Sequence, residues 1–265
     1  MSRKDRPVCI VTGGARGIGE AIVRRFRAEG FAVALLDIDE ARGRALAKEV
    51  DAHFLRCDVG QPADWEAAVG EVRDQFGRLD VLVNNAGVLQ METIERTTAE
   101  DYLQSFRTNE LGTFLGIRTV VAPMREAGRG AIVNLSTIHA LRGVAGAFMA
   151  PYGATKAAVI SLTESAALEL ARFGIRVYCV TPSWLNTEMS TRTPLPPELI
   201  ESLRNRGGTI GAGHPWPAQL EPSEVADAVW FLSGDEAAVY NGTNLVMDRG
   251  GMVGSYPKLP TAERG

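Results

Sequence analysis

Short apolar runs alternate with segments of helical periodicity along most of the 265 residues, and this alternation restricts the fold more than any other feature. The apolar runs are uninterrupted, as expected for strands that are buried on both faces of a parallel sheet. The pattern predicts an α/β protein built from βαβ units, with a doubly wound, mostly parallel sheet of about seven strands. Predicted strands cover 8–14, 32–37, 53–59, 81–87, 131–136, 175–182 and 244–248, and predicted helices cover 18–30, 40–50, 62–76, 98–124, 152–173 and 222–233.

No glycine/serine linker, low-complexity segment or longer repeat interrupts this pattern. We therefore expect residues 1–265 to form a single domain with a Rossmann fold, which holds both a dinucleotide and the catalytic residues. The segment at about 183–218 is rich in Gly and Pro and is predicted to be a loop or lid over the substrate.

Charge and cysteine usage exclude several classes of protein. The formal net charge is -4, which argues against nucleic acid as the main partner. The N-terminal residues are charged and no long apolar stretch follows them, which predicts neither a signal peptide nor a membrane span. Cys9, Cys57 and Cys179 are far apart and lack metal-ligand spacing. They predict buried free thiols, no metal site and a cytoplasmic location.

A glycine-rich turn, TGGARGIG at 12–19, joins the first predicted strand to the first predicted helix. Its glycines Gly13, Gly17 and Gly19 would let backbone N–H groups approach a phosphate at the helix N-terminus. The alternative is a flexible turn, but the position at the carboxyl end of a parallel strand favours a pyrophosphate. The same turn adds Arg16 and Ile18 to the predicted cofactor site.

Acidic residues end the second and third predicted strands. Asp37 lies about twenty residues after the glycines, where a carboxylate can bind the adenosine ribose. The same carboxylate would repel a 2′-phosphate, so we expect NAD rather than NADP. The alternative for Asp37 is a helix N-cap, a task that Asp39 could perform instead. Asp58 and the adjacent Val59 are expected at the adenine, although Asp58 could equally be a strand-end cap.

Tyr152 and Lys156 are four positions apart in the segment APYGATKAAVI at 150–160. On a helix these two side chains would lie on one face. The spacing alone is common, and an ordinary solvated turn of helix explains it equally well. Its interpretation therefore depends on the rest of the chain.

Six elements together resemble the classical short-chain dehydrogenase/reductase family, over most of the chain from Val8 to Gly251. These elements are TGGARGIG, CDV at 57–59, NNAG at 84–87, Asn109, IVNLS at 132–136 and YGATK at 152–156. Their order and spacing make the match more specific than any single motif. The resemblance implies a homotetramer or homodimer that interconverts a secondary alcohol and a ketone by hydride transfer with a nicotinamide cofactor.

The resemblance also implies roles for individual residues. Tyr152 would be the general acid/base, Lys156 its partner and Asn109 the proton-relay residue. The hydroxyl that binds the substrate oxygen aligns with Thr137, where the family normally has a serine, and the adjacent Ser136 is the alternative. Further contacts with the cofactor are implied for Asn85, Ala86, Gly87, Tyr152, Lys156, Pro182 and Thr187. The chain also departs from the family at Ser183, where glycine is usual, and at Arg249.

The predicted chemistry is energetically reasonable. A tyrosine with a pKa of about 10 needs a shift of about three units, or roughly 4 kcal/mol, to act as a base near neutral pH. One positive charge about 4 Å away supplies about 4 kcal/mol at an effective dielectric of 20. Lys156 provides one such charge and an oxidised nicotinamide would provide another.

Apolar segments flank the predicted reaction site, and they indicate an apolar or cyclic substrate. His139, Phe148 and Trp184 are the candidate substrate contacts. Equally, these side chains could pack the loop or an oligomer contact. Two other functions remain open at this point: a non-catalytic nucleotide-binding sensor or scaffold, and an epimerase or dehydratase on the same scaffold.

Overall fold

The computed structural model describes residues 6–143, 148–183, 185 and 219–252. Its sheet has seven strands in the order β3-β2-β1-β4-β5-β6-β7, and every neighbouring pair is parallel. The strands are β1 Val8–Thr12, β2 Ala32–Asp37, β3 His53–Arg56, β4 Val81–Asn84, β5 Gly130–Leu135, β6 Ile175–Pro182 and β7 Asn244–Met247. The predicted doubly wound α/β sheet is therefore confirmed.

Within the described residues, seven α-helices connect or flank these strands: α1 Gly17–Ala28, α2 Glu40–Val50, α3 Pro62–Phe76, α4 Ala99–Ser105, α5 Gly112–Ala127, α6 Ala150–Leu170 and α7 Pro222–Ser233. A π-helical turn, Phe106–Leu111, separates α4 from α5, and a short 3₁₀ helix, Ile138–Ala140, follows β5. The predicted single long helix over 98–124 is thus interrupted. No helix in the described ranges is long and apolar enough to cross a membrane.

Helices cover both faces of the sheet, which explains why the strands are apolar without interruption. On one face Val8 and Ile10 pack in a core with side chains of α3, α5 and α6. Their neighbours Cys9 and Val11 point to the other face and pack with side chains of α1, α2 and α7. The side chains of β1 therefore alternate between two hydrophobic cores, as a strand requires.

The strand order reverses between β1 and β4, so the loops that follow these two strands diverge and leave a crevice at the carboxyl edge of the sheet. Three predicted strands end earlier than expected, because Gly13, Cys57 and Asn85 already belong to the loops that line this crevice. Of the predicted lid at 183–218, the described residues are Ser183 and Leu185, and an isolated parallel bridge joins Leu185 to Leu220, which follows the predicted segment.

Candidate active site

The glycine turn after β1 has the geometry that glycine requires. Gly13 and Gly17 have φ angles of +59° and +58°, in the left-handed region that other residues rarely adopt. Gly19 lies in the first turn of α1, and a Cβ on it would overlap the carbonyl oxygen of Gly13. The backbone of the turn is therefore open to a ligand directly at the N-terminus of α1, where free N–H groups and the helix dipole favour an anion.

Asn85 connects the glycine turn to the loop after β4 by hydrogen bonds. Its side-chain amide donates hydrogen bonds to the carbonyls of Thr12 and Gly13, at 2.9 and 3.0 Å. In return the Thr12 hydroxyl accepts from the backbone N–H groups of Asn85 and Ala86, both at 3.0 Å. The two loops thus form one rigid edge of the crevice. Thr12 was missed by sequence reasoning, although its place directly before Gly13 marks the turn.

Asp37 is held by two backbone groups and faces the same crevice. Its carboxylate accepts hydrogen bonds from the N–H of Ala15 and the N–H of Asp39, each at 3.0 Å. Asp39, not Asp37, caps α2 by accepting from the N–H of Arg42 at 3.2 Å. A carboxylate has about four acceptor positions, so two remain on Asp37 for a ligand.

Asp58 caps the end of the strand region and also lines the crevice. One of its carboxylate oxygens accepts from the N–H of Gly60 at 2.9 Å, which caps the end of the strand region. The residue nevertheless lines the crevice. The cavity there measures about 440 Å³, and its lining includes Gly13, Arg16, Gly17, Ile18, Asp37, Cys57, Asp58, Val59, Asn85, Ala86 and Gly87. Gly19 and Pro182 are not in this lining, but Pro182 borders the adjoining cavity described below.

Asn109 lies in the π-helical turn between α4 and α5 and is fully buried. Its side chain accepts from the N–H of Val88 at 2.8 Å and donates to the carbonyl of Val88 at 3.0 Å. It also donates to the Thr155 hydroxyl at 3.2 Å, and so connects the loop after β4 to α6. A π-helical turn widens the helix by one residue and is frequent at functional sites. Gly87 lies beside this contact, and a Cβ on it would lie 3.2 Å from Asn109 Oδ1 and 3.5 Å from Lys156 Nζ.

Lys156 is a buried lysine on α6. Its ammonium donates a hydrogen bond of 2.8 Å to the carbonyl of Leu135, the last residue of β5. Burial lowers the pKa of Lys156 from 10.5 to about 8. With this pKa the ammonium is still the main form near neutral pH, but only by a small margin. A negative charge that develops nearby would stabilise the ammonium.

Tyr152 lies one turn before Lys156, and its pKa is also shifted in the direction that disfavours the charged form. Burial raises the pKa of the Tyr152 phenol to about 12, and a hydrogen bond from the Thr137 hydroxyl opposes this increase. Glycine follows Tyr152 for a steric reason, because a Cβ on Gly153 would lie 3.0 Å from the carbonyl oxygen of His139. The start of α6 can therefore pack closely against the turn after β5.

Thr137 and Ser136 have different partners. The Ser136 hydroxyl donates to the carbonyl of Lys156 at 2.8 Å and connects β5 to α6. The Thr137 hydroxyl contacts the Tyr152 phenol and also lies 3.2 Å from Nδ1 of His139. Of the two, Thr137 is therefore the hydroxyl that faces the tyrosine.

A second cavity, of about 120 Å³, lies over these groups and shares Ile18, Asn85 and Gly87 with the larger one. Its lining combines polar groups with an apolar wall: Ser136, Thr137, His139, Tyr152, Lys156 and Ser183 with Leu89, Leu135, Met149, Pro182 and Leu185. Met149 lines this cavity, whereas its neighbour Phe148 does not and is 40% exposed. Trp184 and Thr187 lie outside the described residues.

The chain belongs to the short-chain dehydrogenase/reductase family. A family model described as enoyl-(acyl carrier protein) reductase matches residues 13–252, which contain the glycine turn, Asn109 and the Tyr152–Lys156 pair. The protein is therefore an oxidoreductase that acts on secondary alcohols or the corresponding ketones and uses a nicotinamide cofactor.

Individual relatives are similar along nearly the whole chain. The 3-alpha-(or 20-beta)-hydroxysteroid dehydrogenase of Mycobacterium tuberculosis is 41% identical over 249 residues, which cover 93% of this chain and 90% of the relative. The cyclopentanol dehydrogenase of Comamonas testosteroni is 37% identical over 259 residues, which cover 94% and 98%. The crystal structure of 3-ketoacyl-(acyl-carrier-protein) reductase from Brucella melitensis, complexed with NADH, matches with a TM-score of 0.81 and 29% identity, over 92% of this chain and 97% of that one.

Proposed function

We propose that the protein is an NAD-dependent dehydrogenase of apolar or cyclic secondary alcohols, with Tyr152 as the general acid/base. One observation carries the proposal: Thr137, Tyr152 and Lys156 line one small cavity that adjoins the cavity at the glycine turn. When bound, the nicotinamide would accept a hydride in oxidation or supply it in reduction. The glycine turn, Asp37 and the loop after β4 would hold the dinucleotide.

In alcohol oxidation, the phenolate of Tyr152 accepts the substrate's hydroxyl proton as the C–H hydride leaves with both electrons and the carbonyl forms. In ketone reduction the phenol returns that proton. Thr137 donates a hydrogen bond to the substrate oxygen and keeps it next to the phenol. Asn109 would belong to the path by which the proton reaches solvent from Lys156.

The magnitudes support this division of roles. Lowering the pKa of Tyr152 from about 12 to about 7 requires roughly 7 kcal/mol. The Lys156 ammonium contributes about 4 kcal/mol if it lies about 4 Å from the phenolate. The hydrogen bond from Thr137 is already included in the pKa of about 12, and an oxidised nicotinamide would supply a second positive charge. Lys156 would therefore supply somewhat more than half of the required stabilisation, and the charge of the cofactor the rest.

Tyr152→Phe tests the catalytic assignment. The variant should lose turnover by a factor of at least about 10³, because the acid/base group is absent, while NADH binding measured by fluorescence stays within about two-fold. Retained turnover would refute the assignment. If the natural protein binds NADH but forms no NADH from any alcohol tested, a non-catalytic sensor would be favoured instead.

The preference for NAD rests on Asp37. Its carboxylate would accept hydrogen bonds from the ribose hydroxyls, and it would repel a 2′-phosphate by about 1–4 kcal/mol at about 4 Å, depending on the local dielectric. Arg16 and Arg107 line the same cavity, but Arg107 is paired with Glu100 at 3.0 Å. We expect NADPH to bind at least about ten-fold more weakly than NADH, and Asp37→Ser to reduce this difference. Tighter binding of NADPH by the natural protein would contradict the proposal.

The apolar substrate class rests on the wall of the smaller cavity. Leu89, Leu135, Met149 and Leu185 offer no charged partner to a substrate. Two relatives are named for a hydroxysteroid and for cyclopentanol, and both substrates are cyclic alcohols. A turnover panel should therefore favour cyclopentanol, cyclohexanol and a steroid alcohol over lactate and 3-hydroxybutyrate. A preference for the charged hydroxy acids would contradict this assignment.

Self-association into a dimer or tetramer is the remaining part of the proposal. Exposed apolar side chains lie on α6, on α7, on the 3₁₀ helix Asp235–Tyr240 and on the edge strand β7, namely Leu168, Phe231, Val239, Tyr240 and Val246. A second group lies on α4 and α5: Tyr102, Leu103 and Phe114. Apolar patches of this kind often mark contacts between subunits. Sedimentation equilibrium should give a mass of two or four chains, and a single-chain mass would exclude self-association.

The proposed cytoplasmic location is consistent with three buried free cysteines.

A further inference from the structure

His139 has two contacts with Thr137 that sequence reasoning did not foresee. Its ring Nδ1 lies 3.2 Å from Thr137 Oγ1, and its backbone N–H donates to the same oxygen at 3.4 Å. The ring lines the smaller cavity together with Tyr152 and Lys156. His139 is therefore a direct neighbour of the hydroxyl that, in the proposed function, binds the substrate oxygen.

The direction in which the Thr137 hydroxyl proton points depends on whether Nδ1 of His139 carries a proton. A threonine hydroxyl has one proton to donate and two lone pairs that accept. If Nδ1 is unprotonated, it attracts the Thr137 proton away from the cavity. If Nδ1 carries a proton, it donates to Oγ1, and the Thr137 proton is left to point at Tyr152 or at a substrate oxygen.

We propose that His139 is a positioning residue that donates from Nδ1 to Thr137 and thereby directs the Thr137 proton toward the substrate oxygen. The geometry supports this direction, because Oγ1 already accepts from the backbone N–H of His139, and a second donation from Nδ1 would occupy both of its lone pairs and leave its proton to point into the cavity. The inference rests on the proposed function of Thr137, and it assigns His139 an action through Thr137 in place of direct substrate contact.

The backbone around His139 holds the imidazole in register with Thr137. Thr137 caps the 3₁₀ helix Ile138–Ala140, and the N–H of Ala140 donates to the carbonyl of Thr137 at 3.0 Å. On the other side, Gly153 of α6 packs against the carbonyl of His139. The turn is thus fixed from two directions, so that the short distance between Nδ1 and Oγ1 is maintained by the fold.

Three substitutions of His139 distinguish this role from general packing. Asparagine places an amide nitrogen near the position of Nδ1, whereas glutamine places it near Nε2 and alanine removes both. We expect His139→Ala and His139→Gln to lower kcat by about 10-fold to 100-fold, because the orientation of one hydrogen bond to a developing charge is lost. His139→Asn should retain kcat within about five-fold, and the Kd for NADH should be unchanged in all three variants. Equal kcat in the natural protein and His139→Ala would overturn the inference.

A double-mutant cycle with Thr137→Val separates this inference from the proposed function. If His139 acts through Thr137, the loss of kcat caused by His139→Ala should disappear in the Thr137→Val background. A further loss of about ten-fold or more in that background would mean that His139 acts independently, and the inference would be wrong. If Thr137→Val alone keeps full activity, the proposed role of Thr137 fails. Thermal melts of each variant establish that the protein is folded, and the His139→Asn comparison does not depend on the alanine variant.

Discussion

Lys156→Met should make the cofactor-free protein more stable near neutral pH, and this gain should disappear as the pH rises. Lys156 is 3% exposed, and burial lowers its pKa from 10.5 to about 8. Between these two values the unfolded chain binds more protons than the folded chain. The stability of the natural protein must therefore increase with pH in this range through Lys156. Methionine has no charge to bury, so the variant lacks this dependence.

The expected magnitude follows from the shift in pKa. A difference of 10.5 - 8 units in Lys156 corresponds to a cost of about 3 kcal/mol at pH 7, which falls below about 1 kcal/mol at pH 10. The substitution also removes the hydrogen bond to the carbonyl of Leu135, worth about 1 kcal/mol. We therefore expect the variant to be about 2 kcal/mol more stable at pH 7 and nearly equal to the natural protein at pH 10.

Urea denaturation followed by tryptophan fluorescence, at several pH values and one protein concentration, measures this difference. Most other titrating groups are present in both proteins and cancel, but the pKa of the buried Cys179 thiol is coupled to Lys156, so the comparison is made with Cys179→Ala in both proteins. Lys48→Met is the matched control, because Lys48 is an exposed lysine on α2, and its difference from the natural protein should be flat with pH. A flat difference for Lys156→Met as well would refute the reasoning that burial of the ammonium carries a cost.

Other predictions concern the glycine turn, the two hydroxyls that follow β5 and the direction of the reaction. Gly19→Ala should weaken NADH binding at least about 100-fold, because the added Cβ collides with Gly13, whereas Gly70→Ala, in open space on α3, should stabilise the fold by about 0.5–1 kcal/mol and leave binding unchanged. Ser136→Ala should lower the free energy of unfolding by about 1–3 kcal/mol and reduce kcat less than Thr137→Val does. Because burial raises the pKa of Tyr152, kcat/KM for oxidation should increase from about pH 6 to about pH 9, while that for ketone reduction should not.

Much of the fold was accessible from the sequence, since strands buried on both faces have a strong apolar pattern. The bounds of β2, α2, α3 and β6 agree with the predicted ranges. The strands that end at the crevice were predicted too long, because apolar residues such as Val59 continue past the last ladder hydrogen bond in order to line the cavity. Periodicity also missed the π-helical turn, since one extra residue per turn barely alters a pattern read over 98–124.

Prediction of the site from the sequence was limited by side-chain directions, which a sequence does not give. The sequence could align a hydroxyl to Thr137 or Ser136, but both lie at the end of β5, and only the direction of each side chain separates them. Ser136 points to the α6 backbone, and Thr137 points to Tyr152. Likewise His139 could be expected near the substrate, but its contact with Thr137 depends on the 3₁₀ turn, which has no strong sequence signal.

The pKa values of Tyr152 and Lys156 are both shifted so that the charged form of each side chain is disfavoured. Burial alone holds the phenol neutral and brings the ammonium close to neutrality. An ionised phenolate would favour the protonated lysine, and a protonated lysine would favour the phenolate, so the two charges stabilise each other only when both are present. In the proposed mechanism the pair would therefore behave as one coupled group: reduction would start with the proton on Tyr152, and in oxidation the phenolate would form only beside a charged Lys156. The burial that makes Lys156 costly to the fold would thus also control the proposed proton transfer.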